Sequence, residues 1–197
     1  MKGERNAQVY QVGPHLFGTS STIPHWKTEE LIPSLKPFLL SLDTYKEKEL
    51  KIAFSLAIQP ESETQEEDHA KYRSLIEFEW ESATCRISVI PDTDSYLITI
   101  LAPNDPKEYT AYFFYGFTKG ILFLHATEAD AFVLNNILMM IYAFNTACSD
   151  TVLMHASVIK KDGKGYLFQG KSGTGKSTHS GLWLKPVSYT HLRAHET

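Results

Sequence analysis

Apolar and polar residues alternate with a period of two along much of the chain. The alternation is clearest in two sets, Ile52, Phe54, Leu56 and Ile58, and Ile76, Phe78 and Trp80. Successive side chains of a β-strand point to opposite faces, so this pattern predicts half-buried strands in an antiparallel sheet. The Glu-rich stretch between the two sets is predicted to be a solvated loop.

Two further pairs of apolar runs flank short turn segments. Residues 85–90 and 96–101 enclose a Pro-Asp-Thr-Asp-Ser turn, and residues 109–115 and 121–125 enclose a turn with Gly at both ends. Such pairs are typical of β-hairpins. A β-meander is therefore predicted.

A longer apolar stretch, residues 131–148, has helical periodicity. Thr127 and Asp130 resemble a capping box at its start. Asn135, Asn136 and Asn145 interrupt the stretch, which favours a buried helix over a membrane span. A second, shorter helix broken by two prolines is predicted over residues 28–42.

Composition and charge exclude several classes of protein. The 197 residues are 43% hydrophobic and 21% charged, with a net charge of −4 and no cluster of Lys or Arg, so we expect a globular chain that binds neither nucleic acid nor membrane. The N-terminus has no apolar leader, so a cytoplasmic protein is predicted. Cys85 and Cys148 have no metal-ligand spacing and are predicted to be buried free thiols.

The strongest chemical signal is a phosphate-binding loop at residues 170–177, with the complete pattern G-x-x-x-x-G-K-[ST]. Gly residues let such a loop turn its N–H groups toward phosphates, its Lys contacts the β- and γ-phosphates, and its last hydroxyl binds Mg²⁺. ATP and Mg²⁺ are the predicted ligands, with Ser177 on the metal. The predicted binding residues are Gly170, Lys171, Ser172, Gly173, Thr174, Gly175, Lys176, Ser177 and Thr178.

The segment before this loop is predicted to be a hairpin. Residues 152–159 form one strand, residues 161–164 a tight turn, and residues 165–169 the strand that leads into the loop. In common phosphate-loop NTPases the loop follows a strand of a parallel sheet. An antiparallel entry therefore indicates a smaller group of folds.

These residues resemble the HPr kinase/phosphorylase and phosphoenolpyruvate carboxykinase group. The likeness is carried by Leu-Met-His-Ala-Ser at residues 153–157 and by Gly-Lys-Ser-Gly-Thr-Gly-Lys-Ser-Thr at residues 170–178. It implies an α+β or α/β fold, in which an antiparallel N-terminal sheet precedes the first part of a phosphate-loop kinase domain. It divides the chain into a mostly antiparallel β domain (1–125) and the start of the kinase-like domain (126–186).

The same resemblance implies a catalytic role for His155, which stands where that family places a His beside the reacting phosphate. Strand alternation leaves a second interpretation open, because His155 shares a face with Ser157 and Ile159 and fits a core histidine equally well. The family's acidic residue soon after the loop Ser is replaced here by Thr178 and His179.

Three functions follow from the resemblance. The first is an ATP-dependent kinase whose phosphoryl acceptor is an unknown Ser, peptide or small molecule. The second is a regulatory or interaction protein that binds nucleotide without chemistry. A carboxykinase ranks below both, because the chain shows no basic carboxylate-binding residues. A homo-oligomer is compatible with each of these functions.

Residues 187–197 have the sequence that a transposase sequencing adapter encodes when it is translated. We therefore expect this segment to be a non-native tail, and we exclude it from fold prediction. The expected consequence is that the chain lacks the later catalytic half of the kinase-like domain and is inactive in phosphoryl transfer.

Overall fold

A computed structural model describes residues 6–41, 51–63, 69–80, 83–171, 173–184 and the backbone of 194–196. The chain forms two compact units, Met1–Val152 and Leu153–Thr197. This division lies later in the chain than the predicted boundary between residues 125 and 126, because the long helix that follows residue 125 packs on the sheet of the first unit.

The first unit is built on nine strands. Their order in the sheet is β3-β1-β2-β4-β9-β8-β7-β6-β5. Their bounds are β1 Asn6–Val12, β2 His15–Ser21, β3 Leu39–Leu40, β4 Ile52–Pro60, β5 Arg73–Trp80, β6 Ala83–Val89, β7 Tyr96–Leu101, β8 Glu108–Phe114 and β9 Lys119–Leu124.

The predicted fold class, an antiparallel sheet followed by an α/β phosphate-loop domain, is wrong. The chain is mostly a nine-stranded mixed sheet with few helices. β4 pairs in parallel with both β2 and β9, so the N-terminal sheet is not wholly antiparallel. The strand that leads into the phosphate loop pairs antiparallel with the strand before it, so the loop does not follow a strand of a parallel sheet.

The predicted meander is confirmed. Strands β5 to β9 are consecutive neighbours and pair antiparallel throughout. The sequence did not reveal the hairpin of β1 and β2, in which Gly13 (φ +55°) and Pro14 form the turn. A positive φ at Gly13, the first central residue, and the negative φ that the ring imposes on Pro14 are typical of a type II′ turn. The backbone twist of such a turn matches the right-handed twist of the two strands that it connects.

In the described residues, two α-helices and four 3-10 segments accompany the first sheet, and two of the 3-10 segments are the short turns Glu61–Glu63 and His69–Lys71. α1 (Thr28–Leu31) leads into a 3-10 helix (Pro33–Phe38), where the sequence predicted one interrupted helix. α2 (Asp130–Thr146) confirms the predicted buried helix and continues as a 3-10 turn, Ala147–Ser149. By length and composition Asp130–Ser149 could cross a membrane, but the buried side chains of α2 belong to the core of the sheet.

The core lies between α2 and one face of the sheet. In the order of strands in the sheet, it is continuous from β1 to β6, and burial of these apolar side chains is the main force that holds the unit together. Its fully buried members include Phe54, Leu56, Ile58, Ile98, Phe113, Leu122, Leu134, Ile137 and Ile141.

A polar network fixes the start of α2. The buried Asp130 carboxylate accepts hydrogen bonds from the Tyr109 hydroxyl (2.9 Å) and from the backbone N–H of Ala126 (3.1 Å). Burial raises the pKa of the Tyr109 phenol, which therefore stays protonated and donates. Thr127 Oγ1 accepts a hydrogen bond from the N–H of Ala129 (3.2 Å). Ala129 is the N-cap of α2 and no side chain forms a capping hydrogen bond there, so the predicted capping box of Thr127 and Asp130 is wrong.

The second unit contains a three-stranded sheet and one helix. β10 (Ala156–Lys161) and β11 (Lys164–Gln169) form the predicted hairpin, and α3 (Lys176–Leu184) follows the loop. β12 (Ala194–Glu196) pairs antiparallel with the free edge of β10. β12 belongs to the segment expected to be a non-native tail; the rest of that segment lies outside the described residues.

Gly120 is a site where any side chain meets the core. A Cβ there would lie 2.4 Å from Cε1 of Phe113 and 3.1 Å from Cδ1 of Leu56, and both side chains are fully buried. We expect Gly120→Ala to lower the free energy of unfolding by about 1–3 kcal/mol, as overpacking does. Gly18→Ala is the control, because its Cβ would make only ordinary contacts at 3.7 Å or more. Urea denaturation measures the free energy of unfolding of both variants. Equal values would contradict the close packing of Phe113 and Leu56 against Gly120.

The two thiols have different environments. Cys85 is buried as predicted, and burial raises the pKa of its thiol to about 11, whereas Cys148 is exposed, contrary to prediction. The thiolate is the reactive species, so we expect iodoacetamide at pH 8 to modify Cys148 and spare Cys85. Mass spectrometry should show one adduct on the native chain and two in denaturant; rapid double modification of the native chain would show that Cys85 is accessible.

Candidate phosphate-binding site

The loop that carries the phosphate motif connects β11 to α3. β11 ends at Gln169 and α3 begins at Lys176, so the motif lies between a strand and a helix as its chemistry requires. Gly173 (φ +79°) and Gly175 (φ +82°) both adopt left-handed backbone conformations. Non-Gly side chains are disfavoured there, so these two glycines are needed for the path of the loop.

Contacts within the loop close it around Lys176. Nζ of Lys176 donates to the carbonyl oxygens of Gly170 and Lys171, each at 3.0 Å. Thr174 Oγ1 donates to the same Lys171 carbonyl at 2.8 Å, and a Cβ on Gly170 would come within 2.8 Å of that hydroxyl. The Lys176 side chain therefore connects the end of the loop to its start. The lack of a side chain at Gly170 allows the Thr174 hydroxyl to lie close to the Gly170 backbone.

The start of α3 supplies further groups suited to an anion. The first helical hydrogen bond runs from the N–H of His179 to the carbonyl of Gly175 (2.8 Å). The N–H groups of the preceding residues have no acceptor within a helix and carry its positive dipole end. Ser177 and Thr178 are exposed, with hydroxyls that bond no other described residue. Ser172, also a predicted ligand, lies outside the described residues.

A buried pair of hydroxyls anchors this helix to the hairpin. Ser157 Oγ on β10 and Ser180 Oγ on α3 are 2.6 Å apart, and both residues are almost fully buried. Ser180 Oγ also lies 3.2 Å from the carbonyl of Lys176 and 3.1 Å from that of Ser177. The pair ties the residues that would contact phosphate and Mg²⁺ to the sheet. Sequence analysis missed it, although the position of Ser157 on the buried face of a strand was visible.

Aromatic contacts pack α3 against β11. Trp183 packs against Tyr166 (5.0 Å between ring centroids) and Phe168 (5.7 Å) of β11. His179 meets Phe168 edge-on at 4.8 Å between ring centroids and is exposed. These contacts fix the direction of α3 relative to the strand that delivers the loop.

His155 lies immediately before β10 and is exposed, so the alternative of a core histidine does not hold. The last pair of the hairpin is Ala156 with Gln169. His155 and Gly170 are therefore each one residue beyond that pair, at the same end of the hairpin. By alternation His155 shares the face of Ser157, which is the face that α3 covers.

The charge of this segment differs from that of the whole chain. Residues 153–184 contain five Lys and one Asp, whereas the chain has a net charge of −4. The single carboxylate, Asp162, lies in the turn at the opposite end of the hairpin from the loop. Two of the five Lys, Lys171 and Lys176, lie in the loop where a phosphate would bind, and the other three lie toward the turn with Asp162.

Among the described residues no group of three or more His, Cys, Asp or Glu side chains could hold a metal ion by itself. A metal at the loop would thus depend on ligand oxygens in addition to Ser177. Comparisons with protein-family models, curated proteins and solved structures give no match for this chain.

Proposed function

We propose that residues 170–178 bind the phosphates of ATP together with Mg²⁺. The observation that carries this proposal is the closed loop between β11 and α3, with Gly173 and Gly175 in left-handed conformations and Lys176 across its mouth. A phosphate oxygen can replace the two carbonyl acceptors of Nζ, because a charged acceptor makes the stronger hydrogen bond with an ammonium group. The positive charges of Lys171 and Lys176 in the loop support the same ligand.

The function that fits this site best is phosphoryl transfer from ATP to a Ser, peptide or small-molecule acceptor, as in the HPr kinase group whose motif the loop resembles. Such transfer requires mainly positioning and charge stabilisation. Lys176 and the first turn of α3 would hold the β- and γ-phosphates, and Ser177 would hold Mg²⁺. His155, at the loop end of the hairpin, would orient the acceptor or receive its proton.

The proposal is tested by calorimetric titration with MgATP, MgADP and AMP. A loop of this kind contacts the β- and γ-phosphates, so AMP should bind at least about tenfold more weakly than either of the others. Ser177→Ala should reduce the gain in ATP affinity that Mg²⁺ provides and leave metal-free binding nearly unchanged. Equal binding of AMP and ATP would show that the base or ribose, and not the phosphate chain, is recognised.

A second function, nucleotide binding without chemistry, is favoured by one observation. Asp162 is the only carboxylate in residues 153–184, and it lies away from the loop. Phosphoryl-transfer sites commonly use an Asp to hold metal or take the acceptor proton. Release of ADP from MgATP is measured with and without a Ser-containing peptide mixture. Release that depends on the peptide would support phosphoryl transfer and contradict the second function, whereas binding without release agrees with the second function and with the inactivity expected from the sequence.

A further inference from the structure

A pocket of about 290 Å³ opens on the first sheet, on the face that α2 does not cover. Ile98 and Ile100 of β7 pack in the core with α2, so Leu97 and Thr99, which alternate with them, lie on the opposite face. Leu97 and Thr99 line the pocket together with Ser88 of β6. The pocket belongs entirely to the first unit and is independent of the phosphate loop.

The floor of the pocket holds two hydroxyls without protein partners. Ser88 and Thr99 are each only 6% exposed, yet neither side chain forms a hydrogen bond with another described residue. The pairing register sets Ser88 opposite Leu97 and Thr99 opposite Arg86, so the two hydroxyls are diagonal neighbours on adjacent strands. Both residues line the pocket, so a ligand there can form hydrogen bonds with the two hydroxyls.

The walls of the pocket are charged and aromatic. Nε and one terminal nitrogen of Arg86 both contact a carboxylate oxygen of Glu77 at 2.7 Å, so the guanidinium is already neutralised. Glu108 adds a second carboxylate, and Tyr72 adds an aromatic ring. Glu77, which does not line the pocket, pairs with Arg86, and Glu108 lines the pocket as a second carboxylate, so an anionic ligand would meet no unpaired Arg there.

We propose that this pocket binds a neutral, polyhydroxylated ring of monosaccharide size. Sugar hydroxyls both donate and accept hydrogen bonds. They can therefore bond with polar groups that line the pocket: the Ser88 and Thr99 hydroxyls, the Glu108 carboxylate and the outer N–H groups of Arg86. The C–H face of a sugar ring packs on apolar and aromatic surfaces such as those of Leu97 and Tyr72. The volume is at the lower limit for ligand sites, which suits one ring rather than a chain of them.

A free amino acid fits less well. Its carboxylate would have to compete with Glu77 for Arg86 and would lie beside Glu108. Like charges in a partly desolvated site repel one another, so the same residues that accommodate a neutral ligand oppose a carboxylate.

The proposal is tested by two-dimensional ¹H–¹⁵N NMR on the full chain with D-glucose, D-galactose, D-mannose and D-ribose, each at about 50 mM to detect weak binding. At least one sugar should shift the amide signals of Ser88, Leu97 and Thr99 in a saturable manner. The proposal is overturned if no sugar shifts these signals, or if glycine or ethanolamine shifts them and the sugars do not.

Thr99→Val removes the hydroxyl and keeps the shape of the side chain. It should weaken binding of the active sugar by about tenfold, the loss of one hydrogen bond. Thr110→Val is the matched control, because Thr110 faces Thr99 on β8 without lining the pocket. If Thr99→Val fails to fold, as judged by its amide spectrum, Ser88→Ala takes its place. Unchanged sugar affinity in a folded variant would refute the proposal.

Discussion

Replacing Lys176 with Ala is expected to lower the affinity of the chain for MgATP by about 10- to 150-fold, the effect of losing a hydrogen bond from a charged group. In the structure, Nζ of Lys176 contacts the carbonyl oxygens of Gly170 and Lys171 at 3.0 Å. The same atom would hold the phosphates. The variant therefore loses both a ligand contact and the bridge that closes the loop. Calorimetric titration with MgATP measures the change.

The matched control for this variant is Lys164→Ala. Lys164 begins β11 at the opposite end of the hairpin from the loop and is exposed, so its removal changes the net charge equally. Its effect on MgATP affinity should be less than about twofold, because exposed charges at a distance are screened by salt. Equal losses in the two variants would mean that general electrostatic attraction, and not the loop, accounts for binding.

Phe54→Ala is expected to lower the free energy of unfolding of the first unit by about 3–5 kcal/mol, the range for Phe truncation in a core. Phe54 is 1% exposed on β4, and its ring stacks on Phe17 at 5.0 Å between centroids. β4 joins the N-terminal hairpin to the meander by parallel pairing on both sides. A cavity there weakens the contact between the two parts of the sheet.

Ser55→Ala is the control for that variant. Ser55 is the next residue of the same strand and is exposed, so its replacement should change stability by less than about 0.5 kcal/mol. Urea denaturation followed by circular dichroism gives both values. If Phe54→Ala lowers the free energy of unfolding by less than about 1 kcal/mol, Phe54 is not packed in the core between the two parts of the sheet as described.

Local sequence signals predicted much of the fold where strands are neighbours in the chain. The hairpins of β6–β7, β8–β9 and β10–β11 were predicted because alternation and turn residues are local properties. α2 was predicted because its apolar stretch is long enough to exclude a strand. Alternation in β4 also predicted a strand, but it could not show that both neighbours run parallel to it.

The errors share a physical cause. Strand alternation reports which side chains are buried and carries no information about which distant strand is the partner. The parallel pairing of β4 depends on contacts far apart in sequence, as does the buried environment that protects Cys85 but not Cys148. The fold inferred from resemblance failed for a related reason: the motif at residues 170–177 determines a loop and not the sheet around it.

The candidate site was predictable in part. Its motif named the loop residues, and the structure places two of its glycines in left-handed conformations and Lys176 in contact with the Gly170 carbonyl. The Ser157–Ser180 pair and the pocket at Ser88 and Thr99 were not predictable, because each joins residues on different elements. The proposed roles of ATP, Mg²⁺ and His155, and the predicted cytoplasmic location, stay predictions.

The most direct test of phosphate binding at the loop is the response of backbone amide NMR signals to MgATP. The predicted result is a saturable shift of the signals of Gly173, Gly175, Lys176, Ser177 and Thr178, with little change in the signals of the first unit. Saturable binding that shifts other residues and leaves these five unchanged would contradict the assignment of the site, and the absence of any shift would contradict nucleotide binding by this chain.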